Sequence, residues 1–176
     1  MGLGLERIRE LVLKLRTFSR LDEGELKRVS VKESVESVLT IMNHRIKDGV
    51  RVETRFGEPD VIDCYPALLN QAVMNLVANA IDALDGEGTV SITTGIGPGG
   101  AYEMAVSDTG PGIPEHLRQR VLEPFFTTKD VGQGTGLGLS ITDSIVKKHG
   151  GSLELRDAPG GGALAIIRIP ITAAPR

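Results

Sequence analysis

The chain of 176 residues is 40% apolar and 24% charged, with a net charge of -3, enough for one globular domain with a short appendage and no invitation to nucleic acid or an anionic membrane. Its single cysteine, Cys64, excludes an internal disulfide, and no apolar run approaches the ~20 residues that span a bilayer. The expectation is a soluble, cytoplasmic chain, compatible with a membrane anchor elsewhere in a longer parent.

Residues 5–21 place Leu5, Ile8, Leu11, Val12, Leu15 and Phe18 at steps of three and four, which makes one apolar stripe on a helix. That stripe suits either packing on its own domain or a seam for another helix. Asp22 to Glu25 then reads as a hinge. Ser30 and Glu33 form a capping-box pattern that opens a helix with Val31, Val35, Val38, Leu39 and Met42 inside, ending near Gly49. Val50 to Phe56 alternates like a half-buried strand, and Val61-Ile62 suggests a second. Pro66 suits the first turn of a helix running to about Leu84. Two strands follow at 89–95 and 102–107, then a helix over 114–122, a polar glycine-rich stretch, and a helix over 137–149. Strands at 152–156 and 163–169 finish the pattern. Strand pairs joined by tight turns favour a mixed sheet with helices on one face, an α+β sandwich.

Four stretches carry chemistry. Asn75, Asn79 and Asp82 are spaced by four and three, so they share one face of an otherwise apolar helix. Mid-helix asparagine is a poor helix former, and amide oxygens can serve a hard cation such as Mg²⁺. Asp108-Thr109-Gly110-Pro111-Gly112-Ile113 follows a strand, where a tight turn lets a flat ligand lie against backbone and the acid can accept from an exocyclic amine. Glu123 to Lys129 holds the pair Phe125-Phe126 on a polar stretch and ends in a lysine able to reach a phosphate. Gly132, Gly134, Gly136 and Gly138 run into a helix N-terminus, whose free N–H groups favour phosphate. It is not a Walker loop, because no Lys-Ser/Thr pair follows at the required spacing, and no βαβ unit surrounds it.

In this order and spacing, N-x-x-x-N, D-x-G-x-G, F-F-x-x-K and G-x-G-x-G-x-G resemble the ATP-binding domain of sensor histidine kinases. That domain belongs to the superfamily of gyrase, heat-shock chaperone ATPases and MutL, and the likeness covers about residues 30–171. It implies a Bergerat-type fold, about three helices over a mixed, largely antiparallel sheet, binding ATP with Mg²⁺. By resemblance Asn79 would ligate the metal, and Asn75 would hold metal and phosphate. Lys129 would join them in phosphoryl transfer. Asp108 would take the adenine amine, with Gly110, Gly112 and Ile113 beside the base. Phe125 and Phe126 would anchor an ATP lid. Gly132, Gly134, Thr135, Gly136, Leu137 and Gly138 would carry the amides that meet phosphate. In the hydrolysing members the Asn75 position is typically a glutamate that activates water, so an amide there favours transfer over hydrolysis. Asp82 stands where many kinases have a base, so Lys129 or a neighbour has to compensate its charge, or it points elsewhere.

The same resemblance divides the chain into the end of a dimerisation helix and linker (1–29), a catalytic ATP-binding domain (30–172) and a disordered tail (173–176). None of His44, His116 and His149 matches the H-E-x-x-N/T-P setting of a phosphoacceptor. The chain then reads as part of a longer, homodimeric parent, with its own dimerisation domain and a response-regulator receiver domain as partners. A nucleotide-gated interaction module and a serine kinase of the same superfamily are the alternatives.

Overall fold

The computed structural model describes residues 24–129 and 134–171. The amphipathic stretch 5–21, Gly132 and the tail at 173–176 lie outside the described residues.

Strand β1 (Lys27–Ser30) leads into helix α1 (Val31–Met42), and a single 3-10 turn (Asn43–Arg45) precedes β2 (Gly49–Phe56) and β3 (Val61–Cys64). Helix α2 (Pro66–Ala83) follows, then β4 (Glu87–Ile96) and β5 (Tyr102–Asp108). Two short 3-10 turns, Glu115–Leu117 and Arg120–Leu122, stand where the sequence predicts a helix over 114–122. Helix α3 (Gly138–Lys148) and the hairpin β6 (Ser152–Asp157) and β7 (Ala163–Ile169) complete the order.

The main sheet has the order β2-β4-β5-β7-β6, antiparallel except for the parallel pair β2–β4. It is the mixed sheet with three helices on one side that the sequence predicts. The core is almost entirely aliphatic, with Val35, Leu69, Val73, Ile92, Ile141 and Ile167 essentially inaccessible. Tyr102 is the one aromatic side chain fully buried in it among the described residues.

Two boundaries move. Helix α1 ends at Met42 rather than near Gly49. Lys27–Val29, read as linker, instead pairs antiparallel with β3 in a separate two-stranded sheet. The capping box forms only in part. Ser30 Oγ accepts from Glu33 N (3.1 Å), while Asp60 takes the Ser30 hydroxyl (2.6 Å) and the Lys32 amide (2.9 Å). Asp60 thus ties the start of α1 to the approach to β3, which makes β1 an integral part of the domain.

Candidate functional site

β5 runs through the centre of the sheet and alternates strictly, with Tyr102, Met104, Val106 and Asp108 buried and the residues between them half-buried. Alternation aims all four at the helices, so the last inward position holds a carboxylate where a core residue would otherwise sit. Asp108 is only 6% exposed. Its Oδ1 accepts from the backbone N–H of Gly110 (2.9 Å) and of Ala163 (3.2 Å). Oδ2 has no partner among the described residues. Amides on one oxygen fix the ring of atoms while the other oxygen remains available to an incoming donor.

Asp108 opens onto a cavity of about 380 Å³. Leu155, Ala163 and Ala165 from the β6–β7 hairpin give it an apolar wall, Gly112 and Ile113 line the turn after β5, and Phe126 lies on the far side. Arg120 covers the Phe126 ring at 4.5 Å, a cation–π contact that holds the ring in place. Asn79, Asp82 and Lys129 line the polar end. The first turn of α3, with Gly138 and Leu139, borders the same cavity, and Leu137 at the N-cap makes no side-chain cap hydrogen bond. No acid sits in that turn. Its free N–H groups and helix dipole therefore meet an anion without competition.

The glycine positions are sterically enforced at two points. Gly136 has φ of 66°, and a Cβ there would collide with the Phe125 backbone, whose N–H donates to Gly136 O at 2.9 Å. Gly162, on the β6–β7 turn, has φ of 93° and presses against the Asp108 carbonyl. Nothing in the motif spacing marks Gly162 or Ala163, because they come from a distant hairpin and meet Asp108 through backbone.

The two asparagines part company. Asn79 lines the cavity and makes no hydrogen bond among the described residues. Asn75 is buried and does not line it. Its Oδ1 accepts from Gln71 (3.0 Å) and its Nδ2 donates to Gly138 O (3.1 Å) and Thr142 Oγ1 (3.4 Å). Here Asn75 clamps α2 to the start of α3, and its oxygen already accepts one hydrogen bond. Thr135 and Leu137 also work within the protein, Thr135 Oγ1 accepting from Leu137 N at 3.4 Å and Leu137 being buried in the core. Gly134 lies beside Thr127 and Lys129, and Gly110 is held against Ala83 and Asp108. Phe125, by contrast, is 62% exposed at φ of 69°.

Asp82 does not stand bare. Its Oδ2 pairs with Lys129 Nζ at 2.7 Å, and its Oδ1 with Arg45 at 2.7 Å. Lys129 supplies the compensation that the sequence calls for. Arg45, on the turn after α1, is a second cation with no motif to betray it. The three histidines are accounted for without an acceptor role. His149 donates from Nδ1 to Ile145 O (2.8 Å) and accepts at Nε2 from Tyr65 N (3.0 Å). Acceptance at Nε2 requires the neutral ring, and burial lowers its pKa from the ordinary 6.5. His44 meets only the Ile41 carbonyl, and His116 sits in the turn after Pro114.

Residues 64–173 match the family described as histidine kinase-, DNA gyrase B- and HSP90-like ATPase, more than half of the chain. The chain belongs to this ATPase family. Among curated relatives it is 30% identical over 172 residues to the signal transduction histidine-protein kinase AtoS of Escherichia coli K12. That alignment covers 95% of this chain but 28% of AtoS. The catalytic domain of the histidine kinase ThkA superposes with a TM-score of 0.74 at 30% identity, covering 84% of this chain and 96% of that one. Full-length ShkA in complex with AMPPNP gives a TM-score of 0.81 at 28% identity, covering 94% of this chain and 36% of ShkA. The chain thus spans about a third or less of the curated relatives it matches, and it corresponds to the ATP-binding domain of sensor histidine kinases.

Proposed function

We propose that the chain binds ATP with Mg²⁺ and donates the γ-phosphoryl group to a histidine on a dimerisation domain, in cytoplasmic two-component signalling. The observation that carries this reading is one cavity lined by two chemically distinct sets of groups. A buried carboxylate, apolar walls and a glycine turn suit a flat base bearing an exocyclic amine. An uncapped helix N-terminus, an unengaged amide and a lysine suit a phosphate chain. In this reading Asp108 accepts from the adenine amine through Oδ2, and the first turn of α3 receives phosphate oxygens.

The donor set also fits a hard cation that arrives with its substrate. No group of three His, Cys, Asp or Glu side chains could hold a metal among the described residues, whereas Asn79 offers one free amide oxygen at the polar end. Mg²⁺ is commonly held by one or two protein oxygens together with phosphates and water. Asn79 would be its protein ligand, and Asn75, whose oxygen carries a second lone pair beside the Gln71 bond, would be the second. The metal would neutralise charge on the transferring phosphoryl group.

Transfer breaks the bond between the γ-phosphorus and the bridging oxygen of ADP and forms one to an imidazole nitrogen. The chain's own part is positioning and charge neutralisation. Asn75 is an amide where the hydrolysing members carry a glutamate, and an amide cannot take a proton from water, which favours transfer over hydrolysis. Residues 27–171 would form the ATP-binding unit, and the segment before them the end of the dimerisation helix. A receiver domain is the expected later partner; ThkA has been solved in complex with the response regulator TrrA. The test is radiolabelled transfer from ATP to a separately supplied dimerisation domain. The expected result is label on that domain's histidine that depends on Mg²⁺. Tight nucleotide binding without any transfer would overturn the kinase reading and leave a nucleotide-gated binding module.

A further inference from the structure

We infer that Arg45 and Asp82 are positioning residues for Lys129, forming a charge-exchange relay that lets the lysine turn to a terminal phosphate without leaving a bare carboxylate at the cavity rim. The inference rests on the cavity being a nucleotide site.

Asp82 lines the cavity on the last turns of α2, close to where a phosphate chain would lie. A lone carboxylate there repels phosphate. Both of its oxygens are occupied, each by a different cation, and both pairs are at 2.7 Å. The two cations differ in position. Lys129 lines the cavity alongside Asp82, whereas Arg45 is outside the lining and approaches Asp82 from the turn after α1. An incoming polyanion can therefore compete for Lys129 but not readily for Arg45.

The lysine is a compact charge on a flexible stem, suited to changing partners, while the planar guanidinium suits a fixed carboxylate contact. Once Lys129 turns to phosphate, Arg45 still neutralises Asp82. The three side chains together carry one positive charge, so the rim as a whole remains attractive to an anion. Without Arg45, Asp82 would both hold Lys129 more tightly and oppose the phosphate. This accounts for an acid at a place where charge alone argues for a base.

The test measures binding of ATP, ADP and AMP by titration calorimetry to the whole chain and its variants. R45Q should weaken ATP roughly three- to tenfold and AMP much less, since the loss concerns the distal phosphates. D82N placed in R45Q should restore ATP binding to within about twofold of the unaltered chain, because it removes the charge that Arg45 answers. In a K129M background, R45Q should still weaken ATP, because the bare Asp82 carboxylate itself opposes phosphate; only the part of its effect that acts through the lysine is lost. If Arg45 merely anchors the end of α1, R45Q weakens all three nucleotides alike and D82N gives no rescue, which would overturn the relay. Should R45Q fail to fold, D82N alone decides. It is expected to tighten ATP, both by removing a repelling charge and by releasing the lysine to phosphate, a gain reduced by K129M. An unchanged ATP affinity in D82N would then overturn the relay. An unaltered chain that binds no ATP would overturn the functional reading itself; one that binds ATP while these variants show no coupling overturns the relay alone.

Discussion

Two aspartates line the cavity, and their surroundings differ in kind. Asp108 is buried at the end of the central strand and bonded to backbone amides from its own turn and from β7. Asp82 lies near the surface and is bonded to two long side chains. Backbone amides cannot rotate away, so the first carboxylate is a fixed template. Lysine and arginine can move, so the second is a site of exchange. A binding site for a nucleotide needs both, one end that reads a constant base and one that follows phosphates as they are transferred.

The most damaging change to the fixed end should be D108N. It exchanges an anionic acceptor for an amide in a buried site, and hydrogen bonds to charged groups contribute about 1.5–3 kcal/mol. ATP and ADP should both weaken, by roughly ten- to a hundredfold. Calorimetry should show equal losses for the two; a loss confined to ATP would mean that Asp108 does not read the base.

Next in size is G136A, where a positive φ costs an L-residue about 1–2 kcal/mol and a Cβ has no room beside Phe125. Thermal unfolding should show lower stability, and limited proteolysis should show faster cleavage between Phe125 and Gly136 than in the unaltered chain.

The two asparagines give a cleaner contrast between structure and ligand. N75A removes a buried clamp between α2 and α3 and should cost about 1–2 kcal/mol of stability. N79A removes no hydrogen bond among the described residues and should melt within about 0.5 kcal/mol of the unaltered chain. Its effect should appear instead as a weakened dependence of ATP affinity on Mg²⁺. An N79A chain with the same metal dependence would take Asn79 out of the metal site.

The smallest effect lies at the other end of α2. His149 is held neutral, and burial keeps its folded pKa below the ordinary 6.5. Between the two values the unfolded chain binds the proton and the folded chain does not, so stability rises with pH there. It is fully present above about 6.5 and falls as pH drops through that value, levelling once the folded ring also protonates. H149Q should flatten this part of a stability-against-pH curve.

Much of this arrangement is legible in the sequence, for reasons that differ by residue. Asp108 is readable because strand alternation and the following glycines act locally. The asparagine face of α2 is readable from helical spacing, but spacing cannot tell Asn75 from Asn79. That distinction depends on Gly138 and Thr142, brought alongside by helix packing. Arg45 and Ala163 escape the sequence for the same reason, since each reaches the site across a long separation in the chain. The two 3-10 turns at 115–122 show a related limit, in which helical periodicity is present but only short turns form.

The bond from Phe125 N–H to Gly136 O closes the segment 126–135 at its base. A stapled loop transmits its own length poorly to what lies outside it, and the entropic cost of lengthening grows only logarithmically. Phe125 and Gly136 are thus the anchorage that separates this segment from the core.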